Sequence, residues 1–255
     1  MRLAVNHAYF FPYLGFFQAI EAVDRFLLYE HFDYIKDGWM HRNRLQGRNH
    51  SLFQIAAHVS GRSSHRKISE IKLVDARGWR NKLKKSLVQN YRGASFFEET
   101  YPLAESLIDV PAETLHDFNA ETIRGICQHL QIQTEIISRN DVYLDMENAL
   151  AEEESANKDA ALSPKGQRLL HICRQEGASM YVNAIGGAKL YQDAPFTEAG
   201  IDLRFVKSLP HAYSQFGESF VPNLSILDVL MFCGRDGTRK LLQKYELVAA
   251  QDLAQ

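Results

Sequence analysis

Apolar residues open the chain in a short strand-like run, Leu3-Ala4-Val5, followed by an aromatic, proline-containing loop from Ala8 to Gly15. Phe16, Phe17, Ile20 and Val23 then keep the spacing of one helical face, and Arg25-Phe26-Leu27-Leu28-Tyr29 is the compact apolar run of a buried strand. A strand, a helix and a strand in that order predict a parallel sheet with covering helices. Residues Asp33 to Arg48 show no period, whereas Ser51 to Val59 and Lys67 to Val74 alternate like antiparallel strands, which places a small β insertion over about 48–75. Helical spacing marks Trp79 to Tyr91, Phe96 to Ile108 and Thr114 to Leu130, and Thr134 to Ser138 returns the chain to the sheet.

The polar, acidic stretch from Asp145 to Ser163 predicts a mobile surface loop. Ser163-Pro164 then predicts a helix start, with serine as N-cap and proline in the first turn, where its missing N–H costs nothing. Met180 to Ile185 is strand-like and runs into Gly186-Gly187, Ile201 to Val206 supplies another strand, and helices are expected over Ser225 to Phe232 and Gly237 to Leu247. The expected fold is therefore α/β: one domain over 1–255, Rossmann-like or nucleotidyltransferase-like, with a mostly parallel sheet flanked by helices, the antiparallel β insertion and a helical segment.

Composition narrows the function classes. The 255 residues are 45% hydrophobic with a net charge of −2, the make-up of an ordinary globular chain. No run approaches the eighteen or so apolar residues of a membrane span, and the N-terminus lacks signal-peptide character, so a cytoplasmic protein without membrane insertion is expected. Cys127, Cys173 and Cys233 lie far apart and predict reduced thiols rather than a disulfide framework or zinc ribbon. The basic stretch from Arg62 to Arg92 is followed by acids from Glu98 to Glu121, which predicts a solvated, internally paired face and argues against nucleic-acid binding.

Candidate chemistry gathers in four segments. His7, Tyr9, Pro12 and Gly15 sit in the loop after the first strand, where open α/β sheets bind ligands beside helix N-termini. That turn resembles the phosphate-binding loop of adenylate-transferring nucleotidyltransferases, with Phe16 where those loops carry a second histidine. Trp39, Arg42, Asn43 and Arg44 combine guanidinium forks suited to phosphate or carboxylate with a ring that stacks on a base or sugar. Asn183 with Gly186 and Gly187 offers an amide and a close backbone approach at a strand end. Tyr213 and Gln215 precede Ser225 and Asp228, which together read as a capping box at a helix start. No Walker loop, G-x-S-x-G elbow, H-E-x-x-H or G-x-G-x-x-G motif is present, and no histidines stand at metal-ligand spacing; no metal site is expected and the cofactor stays unassigned.

Taken together, Tyr9-Phe10-Phe11-Pro12-Tyr13-Leu14-Gly15, Asp37-Gly38-Trp39 with Arg42-Asn43-Arg44, Tyr181-Val182-Asn183-Ala184-Ile185-Gly186-Gly187, and Phe220-Val221-Pro222-Asn223-Leu224-Ser225 resemble the WbqC-like family over nearly the whole chain. The resemblance implies a bacterial protein of surface-polysaccharide, O-antigen type biosynthesis. It departs at His7-Ala8, where the family usually shows Gln-Pro, at Glu30-His31, where it shows an acidic pair, and at His41, where it shows a second asparagine. The expected activity is transfer of an acyl or aminoacyl group to a nucleotide-linked amino sugar. Glu30, His31 or His7 would be the general base, and the nucleotide-sugar the small-molecule partner. The alternatives are ATP-dependent adenylate chemistry and a non-catalytic accessory protein with a degenerate site.

Overall fold

The computed structural model describes the chain except residues 76–77, 157–163, 191–192, 250–251 and 253–255. In chain order come β1 (Arg2–Asn6), α1 (Leu14–Glu21), β2 (Arg25–Leu28), β3 (Arg42–Gln46), β4 (Leu52–Ala56), β5 (Val59–Ser60) and β6 (Lys72–Leu73). The helices α2 (Trp79–Tyr91), α3 (Phe97–Ile108) and α4 (Leu115–His129) follow, then β7 (Glu135–Ile137), α5 (Leu144–Ala156) and α6 (Pro164–Gln175). The chain closes with β8 (Met180–Ala184), α7 (Ala194–Glu198), β9 (Asp202–Ser208), α8 (Ile226–Leu242) and β10 (Tyr245–Ala249).

Six strands form the main sheet in the order β10-β9-β8-β1-β2-β7, all parallel except β10, which pairs antiparallel to β9. From β1 the chain builds outward through β2 to β7, then crosses back to lay β8 on the other side of β1 and continues to β9. The build direction thus reverses between β1 and β8. Side chains alternate across the sheet, as strand geometry requires. Leu3, Val5, Leu27, Tyr181, Leu203 and Phe205 pack with Leu169, Leu170, Ile172 and Cys173 of α6. On the opposite face Ala4, Phe26, Leu28, Val182 and Val206 join Phe16, Phe17 and Ile20 of α1 and Val229 and Leu230 of α8. Both faces are buried, the condition under which parallel sheets occur.

Four sequence expectations need correction. The irregular stretch after Asp33 contains β3, which pairs with β4; β6 is short and pairs with β5, behind a 3-10 turn at Ile68–Glu70. The acidic stretch expected as a mobile loop is helical over Leu144–Ala156, because Leu150 is buried, Met146 packs on the second core and Glu147 is held by protein partners. The N-cap expected at Ser163 lies outside the described residues. The last helix stops at Leu242, and Tyr245–Ala249 leaves it to pair with β9; a kink at Gly234 (φ 60°), where a Cβ would meet the Phe96 ring at 2.5 Å, separates the two helical stretches read from sequence.

Candidate functional site

A cavity of about 860 Å³ opens over the carboxyl ends of β1, β8 and β9, beside the first turn of α1 and at the reversal point of the sheet. Of the residues singled out by sequence, His7, Tyr9, Pro12, Gly15, His31, Trp39, Asn43, Arg44, Asn183, Gly186 and Gly187 line it.

The wall on the α1 side is pinned to backbone carbonyls. Asn43 donates Nδ2 to the carbonyls of Phe10 and Phe11 at 3.1 and 2.7 Å and accepts from the Arg44 N–H through Oδ1. Asn119 likewise donates to Ala8 and Met40, and the Ser225 hydroxyl donates to the Phe11 carbonyl at 2.8 Å. These bonds hold Phe11 at φ 40°, in the left-handed region that a bulky residue occupies only under constraint. Gly15 is required because a Cβ there would stand 2.5 Å from the Tyr13 ring. The first turn of α1 has neither a side-chain cap nor an acidic residue, so its N–H groups keep their positive end uncompensated. Arg44 stands here with its guanidinium carbon 5.9 Å from the Trp39 ring centroid; its buried Nε has no partner and no carboxylate pairs with it among the described residues.

On the α6 side, His31 Nε2 donates to the Asn140 carbonyl at 3.0 Å, which leaves Nδ1 as the basic nitrogen of the neutral ring. Between the two sides lies His7, its ring 5.8 Å from Tyr9 and 4.6 Å from Phe32. Burial pushes the Tyr9 hydroxyl up to about 12, so it serves as a neutral donor. Asn6 ends β1 and Asn183 is the penultimate residue of the adjacent β8; each accepts the next residue's N–H through Oδ1 at 2.8 Å, leaving its Nδ2 donor unengaged among the described residues. Gly187 admits the Asn183 amide, since a Cβ would lie 2.8 Å from Nδ2.

Four expected residues are not on this wall. Arg42 turns back to the carbonyls of Gly38 and Asp37. Buried Glu30 accepts the Asn140 N–H at 2.6 Å, while its own N–H donates to Asn140 Oδ1. Tyr213 and Gln215 donate to Asp228, which also takes the Tyr91 hydroxyl at 2.6 Å; the aspartate therefore does not close the capping box, and Ser225 caps α8 alone. Conversely, Asn6, Gln18, Asp33, Lys67 and Arg168 border the cavity without having been singled out. Only Asn6 carried a sequence signal, as the polar residue ending a strand. Among the described residues no group of three or more His, Cys, Asp or Glu side chains is arranged to hold a metal, and no helix is long and apolar enough to cross a membrane.

The fold and site define an α/β protein with a largely parallel six-stranded sheet and a cavity at its strand ends. The chain belongs to the WbqC-like protein family, whose model matches residues 7–240. It is similar to the uncharacterized protein Rv1507c of Mycobacterium tuberculosis (strain ATCC 25618 / H37Rv), 27% identical over 241 residues that cover 92% of this chain and 95% of the relative. No solved structure matches.

Proposed function

We propose that this protein is a Rossmann-like group transferase of bacterial surface-polysaccharide biosynthesis, joining a small acyl or aminoacyl group to a nucleotide-linked amino sugar. The observation that carries this reading is the position and size of the cavity. It sits where the strand order reverses, the place at which open α/β sheets receive nucleotides, and 860 Å³ is room for two ligands side by side. The α1 side suits the nucleotide: Arg44 brings a cation without a counter-charge, the first turn of α1 adds N–H donors, and Trp39 offers a face for the base. In the transfer the sugar amine attacks the donor's carbonyl carbon, His7 takes the amine proton, and the donor's leaving group departs. Histidine does this near neutrality. Asn183 and Tyr9 donate hydrogen bonds to the sugar or to the carbonyl oxygen as charge gathers on it.

Isothermal titration with uridine, UDP and UDP-amino sugars tests the reading. A UDP-amino sugar is expected to bind more tightly than uridine, and Arg44→Ala to weaken it about ten- to hundredfold, the loss of a charge-assisted contact. Arg42→Ala, whose guanidinium serves the 37–38 backbone, leaves that affinity within about twofold. Equal affinity in wild type and Arg44→Ala, or no binding of any nucleotide, would sink the proposal.

A further inference from the structure

The α6 side of the cavity carries charges that the proposed transfer has not used. Arg168 donates Nε and Nη2 to the Glu147 carboxylate at 2.5 and 2.7 Å, a two-pronged pair whose side chains are only 15% and 11% exposed. The Tyr29 hydroxyl donates to the same carboxylate at 2.6 Å. A second pair, Lys67 Nζ to Asp33 at 2.7 Å, borders the same region, and Asp33 lies within electrostatic reach of Arg168. Desolvating an ion pair is costly, so one kept largely buried beside a cavity is poorly explained by stability alone.

Arg168 faces the cavity over the Phe32 ring, 5.8 Å from its centroid, and its Nη1 has no hydrogen-bond partner among the described residues. Glu147 stands behind it, off the cavity wall, and fixes the plane of the guanidinium. Two cations and two carboxylates sum to zero here. A multiply charged anion brought to Arg168 also meets the fields of Glu147 and Asp33, and a simple cation brought to Asp33 meets Lys67 and Arg168. A ligand with one charge of each sign, separated by a few atoms, satisfies both.

We propose that the α6 side of the cavity binds a free α-amino acid, its carboxylate on Arg168 Nη1 and its ammonium on Asp33, with Glu147 and Tyr29 as positioning residues. The Phe32 ring gives a small side chain an apolar wall. The proposal rests on the reading of the cavity as a transferase site and sharpens it: the small group joined to the sugar comes from an amino acid whose carboxylate a nucleoside triphosphate first activates as the acyl adenylate, releasing pyrophosphate, so that the sugar amine displaces the nucleoside monophosphate from the carbonyl carbon.

The test is titration of the full-length protein with glycine, L-alanine and L-serine, and with acetate, ethylamine and pyrophosphate as single-charge and multiply charged probes, each with and without a saturating UDP-amino sugar. At least one amino acid is expected to bind ten times or more tightly than acetate, ethylamine or pyrophosphate. Arg168→Gln and the surface variant Asp33→Asn should each weaken it at least tenfold; Glu147→Gln should weaken it less, with Arg168→Lys recovering part of the loss seen in Arg168→Gln. UDP-amino sugar affinity should stay within twofold in Asp33→Asn, whose fold is under no threat. Pyrophosphate binding more tightly than every amino acid, or amino-acid affinity unchanged in Asp33→Asn and Arg168→Lys, overturns the proposal. Nucleotide-sugar binding without amino-acid binding removes this inference alone, whereas amino-acid binding without nucleotide binding removes the transferase reading and leaves the amino-acid site standing.

Discussion

The two sides of the cavity hold their groups by opposite means. On the α1 side neutral amides and hydroxyls grip backbone carbonyls, and the guanidinium on that wall, Arg44, has no counter-charge among the described residues. Across the strand ends every cation has its own carboxylate, Arg168 with Glu147 and Lys67 with Asp33. Neutral pinning builds a rigid wall with surplus positive potential, suited to a phosphorylated ligand. Matched pairs give almost no net field at a distance but strong, directional fields close by, which select by charge pattern.

The largest expected effect breaks the neutral side. Asp228 is fully buried and takes hydrogen bonds from Tyr91, Tyr213 and Gln215, so it ties α2 and the 213–221 segment to the start of α8. Asp228→Ala strands three donors and is expected to cost about 3–5 kcal/mol in urea denaturation. A loss under about 1 kcal/mol would mean that the segment repacks and that the network does not brace the wall. Asn43→Ala acts closer to the cavity and should cost about 2–3 kcal/mol, because the Phe10 and Phe11 carbonyls lose their donor and Phe11 its restraint at positive φ. Its sharper readout is UDP binding, which should weaken by more than thermal destabilisation explains, while amino-acid binding across the strand ends persists. Equal weakening of both ligands would show that the two sides are one mechanical unit.

Much of this arrangement was legible in the chain because its signals are local. The β1-loop-α1 start, α2 to α4 and the strand β8 that carries Asn183 follow from period and turn chemistry within a dozen residues. What failed depends on distant partners. The 144–156 helix looks like a solvated acidic loop until Glu147 meets Arg168 and Tyr29, and β10 reads as helix until β9 lies beside it. The same limit governs the site. Arg42 and Arg44 are equivalent in sequence, yet the 37–38 carbonyls capture the first, whereas the second keeps one long bond to the Pro222 carbonyl and a buried Nε without a partner. Arg168 had no signal, since an arginine on a helix is ordinarily a solvated residue.

The smallest expected effect concerns the rim that joins the two sides, the segment carrying Ile35 and Trp39 at the cavity mouth. Beneath it the Tyr34 hydroxyl and His41 Nδ1 share a buried hydrogen bond at 2.7 Å. Burial first, then the charges of Arg62 and Arg42, hold the His41 ring down at about 4, against an ordinary value of 6.5. Between those two values the unfolded chain binds a proton that the folded chain refuses. Its contribution to stability is therefore full above pH 6.5 and is lost as the pH falls toward 4. Urea midpoints should drop from pH 7.5 to pH 5, and His41→Asn, which cannot titrate, should show a shallower fall. Some slope will persist, because burial also lowers His116 and His129. If the variant and the wild type lose stability in parallel, the acid sensitivity belongs to the other buried histidines, His116 and His129, and the cavity rim is indifferent to pH.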